Sequence, residues 1–458
     1  LKAFCENCFI KLLGLNLQFL LVYLVRCILI KNFIFDWVYY PFNNPLLLVI
    51  ASITHISQFF WYVIMEIFKG SFTQQEPLSQ EAVDAATRVL NTGRLHRYNL
   101  KEGDAGEVAS LELEFAKIIG SKFCLAVASG GYALATALRA VGVKPNQTVL
   151  TNAFTLAPVP GAIASINAIP LLVEVTEDLT IDFADLEAKA SQSEVLLLSH
   201  MRGHICDMEK LLEITNRHGI IVIEDCAHTM GAGWNKKLTG SYGIIGCFST
   251  QTYKHINSGE GGFLTTNDPI VMAKSIALSG SYMMFDKHLS APRKIDFDSI
   301  KYETPNISGR MDHLRAAILR PQLKELTNKI IRWNERYTTI ETILKDVKGL
   351  HLINRPAKED FVGSSFQFLL SDCSYLEIQS IVESCRNRGV ELKWFGKNEP
   401  KGFTSKYDSW RYIPTQQMAK SDKIINSILD MRLPLTFSIE DCKLVAAIIC
   451  QEIEAITA

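Results

Sequence analysis

The chain has 458 residues, with 47 Lys and Arg against 48 Asp and Glu and a formal net charge of −1. That length allows two or three domains, and the absence of a long basic run argues against sequence-independent nucleic-acid binding, which depends on clustered Lys and Arg. Of the 11 cysteines only Cys5 and Cys8 form a close pair, and no His pair at zinc spacing follows them. The pattern is that of reduced, buried thiols in a cytoplasmic protein, with no metal site implied.

Residues 1–70 differ from the rest. The stretch 46–68, LLLVIASITHISQFFWYVIMEIF, carries no Lys or Arg and one acid, Glu66. About 20 apolar residues suffice to span a bilayer. Three readings stand for this hydrophobic extension: a membrane anchor, a targeting segment that is removed, or non-native translation of upstream sequence. From about residue 75 the chain reads as soluble α/β. In PLSQEAVDAATRVLNTG, Ser79 is the expected N-cap of a helix with Ala82, Ala85, Ala86, Val89 and Leu90 on one face, stopped by Gly93. A second helix places Val108, Leu111, Phe115, Ile118 and Ile119 on one face and ends at Gly120.

CLAVA (124–128), then SGG, then YALATALRAV predict strand, tight turn and helix. Short apolar runs follow at 171–175, 195–198, 220–223 and 244–248, with helical or polar segments between the first three. Continuous apolar strands alternating with helices specify a mostly parallel sheet covered on both faces. Beyond Arg310 a long helical pattern spans 313–344; FQFLL and VELKWF read as strands, and a last helix lies near 439–456. The expected division is the extension (1–70), a large domain (75–308) and a smaller C-terminal α+β domain (309–458).

Three stretches carry chemistry. In ASGGYAL (128–134) a glycine turn feeds a helix start, whose N–H groups and dipole suit a phosphate. In VIEDCAH (222–228), Asp225 falls at the carboxyl end of a buried strand, where open α/β sheets place ligands, and His228 follows three residues later. In FSTQTYKHINSGEGG (248–262), a strand delivers Ser249, and Lys254 sits alone in a polar, glycine-flanked loop. Taken singly, each has a plain structural alternative: a turn glycine, a helix-capping aspartate, a surface lysine. In this order, a phosphate cradle, a strand-end acid and an isolated lysine match the needs of pyridoxal phosphate. Its phosphate needs donors, its pyridine nitrogen a carboxylate, its aldehyde an amine.

The chain resembles the pyridoxal-phosphate sugar aminotransferases of the DegT–StrS group, within the fold-type I aminotransferases. The resemblance runs from about residue 75 to the C-terminus. Its strongest parts are EDCAHTMGAGWNKKLTGSYGIIGCFSTQTYKHINSGEGG and GRMDHLRAAILRPQL. It implies a seven-stranded-type sheet with helices on both faces. Lys254 would be the Schiff-base lysine and proton carrier, Asp225 the partner of the pyridine nitrogen, and His228 a contact to the ring's 3-hydroxyl region. Gly130, Gly131, Tyr132 and Ser249 would hold the phosphate, and Ser308 would do so from a neighbouring subunit. The chain departs from the pattern at Leu156, where an aromatic usually stacks on the ring, at Ser308, often Asn, and at Gly131, often a hydroxyl residue.

The resemblance implies a homodimer that aminates a keto group of a nucleotide-linked sugar, with glutamate as donor. Dehydration or aminobenzoate formation on the same cofactor, and a non-catalytic regulatory or membrane-associated protein, are the alternatives. Relatives that dehydrate sugars tend to carry His at the position of Lys254, so the lysine favours transamination. Arg94, His96, Arg97, Arg202 and Lys287 are candidates for diphosphate or carboxylate contacts.

Overall fold

Gly93 ends the first helix as its sequence predicts. In this computed structural model, which describes residues 66–401 and 405–457, helix α1 covers Gln80–Thr92 and Gly93 takes φ 67°, the left-handed conformation that glycine adopts without penalty. Ser79 occupies the N-cap position, but its side chain makes no capping bond. The buried face is the narrow stripe Ala82, Ala85 and Val89. Leu90, one residue and about 100° further round the helix, points to solvent. Helix α2, Glu107–Ile119, buries Val108, Leu111, Phe115 and Ile119 and exposes Ile118 for the same reason.

Strand and helix then alternate: β1 (Phe123–Val127), α3 (Gly130–Ala140), β2 (Thr148–Asn152), α4 (Pro158–Ser165), β3 (Ile169–Val173), α5 (Phe183–Lys189), β4 (Val195–Ser199), α6 (Met208–His218) and β5 (Ile221–Asp225). A short hairpin, β6 (Gly233–Trp234) and β7 (Lys237–Leu238), precedes β8 (Ile245–Ser249), β9 (Gly262–Thr266) and α7 (Pro269–Ser279). The seven-stranded sheet has the order β1-β9-β8-β5-β4-β2-β3. The pairs β3–β2, β2–β4, β4–β5 and β5–β8 are parallel, and β9 runs antiparallel to both its neighbours. The sheet is therefore mostly parallel, as expected. One apolar layer, including Leu138, Ile163, Leu197 and Ile276, packs helices α3, α4 and α7 on one face. On the other face Phe115 stacks on Phe263 at 4.1 Å and meets Phe248 edge-on. Each such fully buried side chain contributes roughly 1.5–3 kcal/mol.

The register sets the site. Ser199 at the end of β4 lies opposite Asp225 at the end of β5, and Asp225 lies opposite Cys247, two residues before Ser249 on β8. Three carboxyl ends therefore open onto one crevice.

Helix α8, His313–Leu344, is capped by Asp312, whose carboxylate accepts the Arg315 N–H at 2.9 Å. It packs on α1 and α2 and on the last helix, α11 (Ile439–Thr457). Between them come β10 (His351–Leu352), β11 (Glu359–Asp360), β12 (Ser365–Leu369), α9 (Tyr375–Asn387), β13 (Lys393–Trp394), α10 (Ala419–Ser427) and β14 (Ile428–Arg432). A four-stranded antiparallel sheet has the order β10-β12-β14-β13. Phe68 and Phe72 pack edge-on against Phe437 in its core, and the Phe68 N–H donates to the Arg388 carbonyl. The compact unit accordingly begins at Glu66 rather than near residue 75. Residues 1–65 of the hydrophobic extension lie outside the described residues. Among those described, no helix is long and apolar enough to cross a membrane.

Candidate active site

A cavity of about 500 Å³ opens at these strand ends. Gly130, Gly131, Asp225, His228, Ser249 and Lys254, separated by up to 124 positions in sequence, all line it. Tyr132 and Ser308 do not. The Tyr132 hydroxyl donates to the Leu278 carbonyl and its N–H donates to Ser129 Oγ, the N-cap of α3. Ser308 sits exposed in a turn at φ 52°, its N–H donating to Asn306 Oδ1.

Gly130 and Gly131 are the first residues of α3, so the helix itself offers their N–H groups no acceptor. A Cβ on Gly130 would stand 2.8 Å from Ser249 Cβ, so only glycine lets the helix start approach β8 this closely. Gly131 faces open space, with Pro158 the nearest neighbour at 3.9 Å. Leu156 forms a half-buried wall of the cavity, whereas Phe154 is buried against Phe395 and does not line it.

Asp225 is held from behind. The Thr155 hydroxyl donates to Ser199 Oγ at 2.7 Å, and the Ser199 hydroxyl donates to Asp225 Oδ2 at 3.2 Å. The Ala227 N–H donates to Asp225 Oδ1. Burial raises the carboxyl pKa, against the attraction of Lys254. Lys254 Nζ shares a hydrogen bond of 2.8 Å with His228 Nε2. Burial and the Arg202 guanidinium push the Lys254 amine down to about 7, although Asp225 pulls the other way. Burial and the neighbouring lysine keep His228 well below the ordinary imidazole range. A lysine amine that is neutral near pH 7 is a nucleophile and a proton carrier. His255, the next residue, anchors the loop: its Nε2 bonds Ser364 Oγ at 3.0 Å and its ring meets Trp333 edge-on.

On the opposite face of β5, Glu224 accepts the N–H groups of Gly240, Tyr242 and Gly243 at 2.8–2.9 Å and pairs with His200. Burial opposes its charge, but His200 and these N–H groups hold its carboxyl below the usual value. The loop that leads into β8 is thereby pinned to the strand that carries Asp225.

Of the cations suggested by sequence, only Arg202 reaches the cavity. Arg97 is buried against Glu112 at 2.8 Å, and Arg94 bonds Asn99 and the Leu100 carbonyl. His96 and Lys287 are exposed. Sequence reasoning missed Arg432, Trp333, Tyr253 and Ser199, all of which line the cavity. Ser199, which follows the apolar run 195–198, and Tyr253, which directly precedes Lys254, had a local signal; Arg432 and Trp333 had none.

A sheet of this topology, with an acid at one strand end, a buried lysine after the next and a helix N-terminus over both, defines a fold-type I pyridoxal-phosphate enzyme. Residues 78–450 match the DegT/DnrJ/EryC1/StrS aminotransferase family, and the chain belongs to it. It is 30% identical over 278 residues to the spore coat polysaccharide biosynthesis protein SpsC of Bacillus subtilis, a match covering 60% of this chain and 69% of that one. It is 31% identical over 237 residues to the GDP-perosamine synthase of Caulobacter vibrioides, covering 50% and 61%. A 30% match over 260 residues links it to the L-glutamine:scyllo-inosose aminotransferase of Streptomyces griseus, covering 55% and 59%. The chain thus spans less than two thirds of the last two. The solved structures of 3-amino-5-hydroxybenzoic acid synthase (TM-score 0.73, 22% identity) and Helicobacter pylori PseC (TM-score 0.72, 18% identity) share the fold; each match covers 85% of this chain and all of the other.

The protein is an aminotransferase of this family, and pyridoxal phosphate is its cofactor. The site fits that group: donors for a phosphate at α3, a buried acid for a ring nitrogen, and a buried low-pKa amine for an aldehyde stand on one cavity.

Proposed function

We propose that the protein transfers an amino group from glutamate to a keto group of a nucleotide-linked sugar, as a homodimer. The observation that carries this reading is the Lys254–His228 pair beside Asp225 under the start of α3. A GDP-perosamine synthase and a spore coat polysaccharide protein among the relatives support a nucleotide-linked sugar as the acceptor.

The bound cofactor supplies an electron sink for the carbon that loses its proton. Asp225 would keep the pyridine nitrogen protonated, since a cation placed there would offset the burial that raises its pKa. Lys254 would hold the aldehyde carbon and carry a proton on Nζ, the nitrogen that shares a 2.8 Å hydrogen bond with His228 Nε2, and His228 would be the contact to the ring hydroxyl. The Gly130 and Gly131 N–H groups and the Ser249 hydroxyl hold the phosphate. Because the Tyr132 N–H is already spent on Ser129, Tyr132 serves the cradle by fixing α3. Exposed Ser308 is assigned to the phosphate of the neighbouring subunit. The same reading takes 75–308 as the cofactor-binding domain and 309–458, with Phe68 and Phe72 in its core, as the smaller one.

The test is an absorbance spectrum of the purified protein, or of residues 66–458, with and without glutamate. A visible band that moves to the near-ultraviolet with glutamate is expected. The glutamate-treated protein should then exchange keto oxygen for amine on one member of a panel of nucleotide-linked keto sugars, read by mass spectrometry. A colourless protein that takes up no added pyridoxal phosphate refutes the reading.

A further inference from the structure

The cavity holds a second feature, built from residues other than those of the phosphate cradle at α3. Arg202 follows β4 in a tight turn, at φ 55° and ψ 21°, a conformation that non-glycine residues adopt rarely. The turn is pressed into the site, since a Cβ on the next residue, Gly203, would lie 3.2 Å from the His228 carbonyl. The Arg202 side chain is 6% exposed, and Nη2 pairs with Asp430 Oδ2 at 2.8 Å. Its Nε has no hydrogen-bond partner among the described residues. A buried guanidinium N–H without an acceptor is costly unless a ligand supplies one.

The surroundings are cationic. The Arg432 guanidinium lies 3.7 Å over the Tyr253 ring, one residue from Lys254, and Lys393 Nζ lies 3.7 Å from the Asp430 carboxylate that pairs with Arg202. Asp430 also accepts from Gln367 Nε2 at 2.7 Å, so it is fixed and cannot follow Arg202 into the cavity. The phosphate cradle at α3 is built from separate groups. An anion at Arg202 is therefore not the cofactor's phosphate.

We infer that Arg202, backed by Asp430 and flanked by Arg432, forms a carboxylate-binding subsite that seats an acidic substrate beside the Lys254 amine. A guanidinium matches a carboxylate in shape and donor geometry. The closeness of Arg202 to the reacting amine agrees with its place as the largest charged influence lowering the Lys254 pKa. The inference rests on the aminotransferase reading and adds a substrate class to it: the amino donor or the keto sugar presents a carboxylate here.

The test uses glutarate, an unreactive dicarboxylate, titrated calorimetrically into the cofactor-loaded protein. Arg202→Gln is expected to weaken glutarate binding about 10-fold or more, and Arg202→Lys to restore part of it. Because Arg202→Gln removes the nearest cation from a buried carboxylate, the Arg202→Gln/Asp430→Asn double variant is measured alongside, with its melting curve as the check on folding. Slower discharge of the visible band by glutamate in the double variant assigns the subsite to the amino donor. An unchanged glutamate step, with loss of a keto-uronate but not of a neutral keto-hexose as acceptor, assigns it to the sugar. A folded double variant with unchanged glutarate affinity and unchanged half-reactions overturns the inference. If the wild-type protein takes up no cofactor, the aminotransferase reading falls, and the glutarate titration on the unloaded protein still decides whether Arg202 binds a carboxylate.

Discussion

Acidification should loosen the fold through His255, and by an amount that the structure sets. His255 is 3% exposed; its Nδ1 has no hydrogen-bond partner among the described residues. Burial, helped by Lys254, lowers its pKa from 6.5 to about 3. Between those two values the unfolded chain binds a proton that the folded chain does not, so stability rises with pH in this window and is lost as pH falls through 6.5. Going from pH 7 to pH 5, one such group removes about 2 kcal/mol. Urea unfolding at both pH values, on the wild type and on His255→Asn, isolates the effect because other titrating groups cancel in the comparison. The variant should be less stable at pH 7, having lost the bond to Ser364, yet should lose about 2 kcal/mol less on acidification. Equal losses in the two proteins would refute the argument that a neutral, buried imidazole holds the lysine loop.

Lys254→Ala should keep its melting temperature within a few degrees and slow the glutamate-driven spectral change by roughly 10²–10⁴-fold, the usual worth of a positioned proton carrier; stopped-flow absorbance reads it, and near-normal rates would contradict the assignment. Gly130→Ala places a Cβ 2.8 Å from Ser249 Cβ, so it should cost about 1–3 kcal/mol in unfolding free energy and weaken cofactor uptake, seen by denaturation and by equilibrium dialysis. Capture of pyridoxal phosphate should speed up as pH rises through about 7, where Lys254 becomes neutral; a rate flat across that range would show an amine of ordinary pKa.

The parts of the site that sequence revealed are those whose signal is local. Asp225, His228, Ser249 and Lys254 each end a strand or follow one closely, so alternation of apolar runs with polar loops placed them on one edge of the sheet. Arg432 and Trp333 come from a short antiparallel strand and the middle of α8, and only tertiary packing brings them to the cavity. The strands β2 and β9 lacked the unbroken apolar runs that marked their neighbours, since TVLTN and GFLTT mix threonine with apolar residues. The helical period places Leu90 and Ile118 on apolar faces although both are exposed, because a period defines a stripe's direction but not its width. Phe68 falls within the hydrophobic extension by composition, which is continuous through residue 70, while the packing boundary falls at Glu66.

Adjacent carboxylates on β5 divide their duties by face. Asp225 looks into the cavity, and Glu224 looks away and collects three backbone N–H groups and His200. A glutamine at 224 would turn an amide NH₂ towards donors that need an acceptor, and the loop leading into β8 would lose its tether. A saturation screen scored on turnover alone would therefore flag the two neighbours alike, and would credit chemistry to a residue that never meets the substrate. Scoring the same library on melting temperature separates them: losses at 224 should track unfolding, and losses at 225 should not.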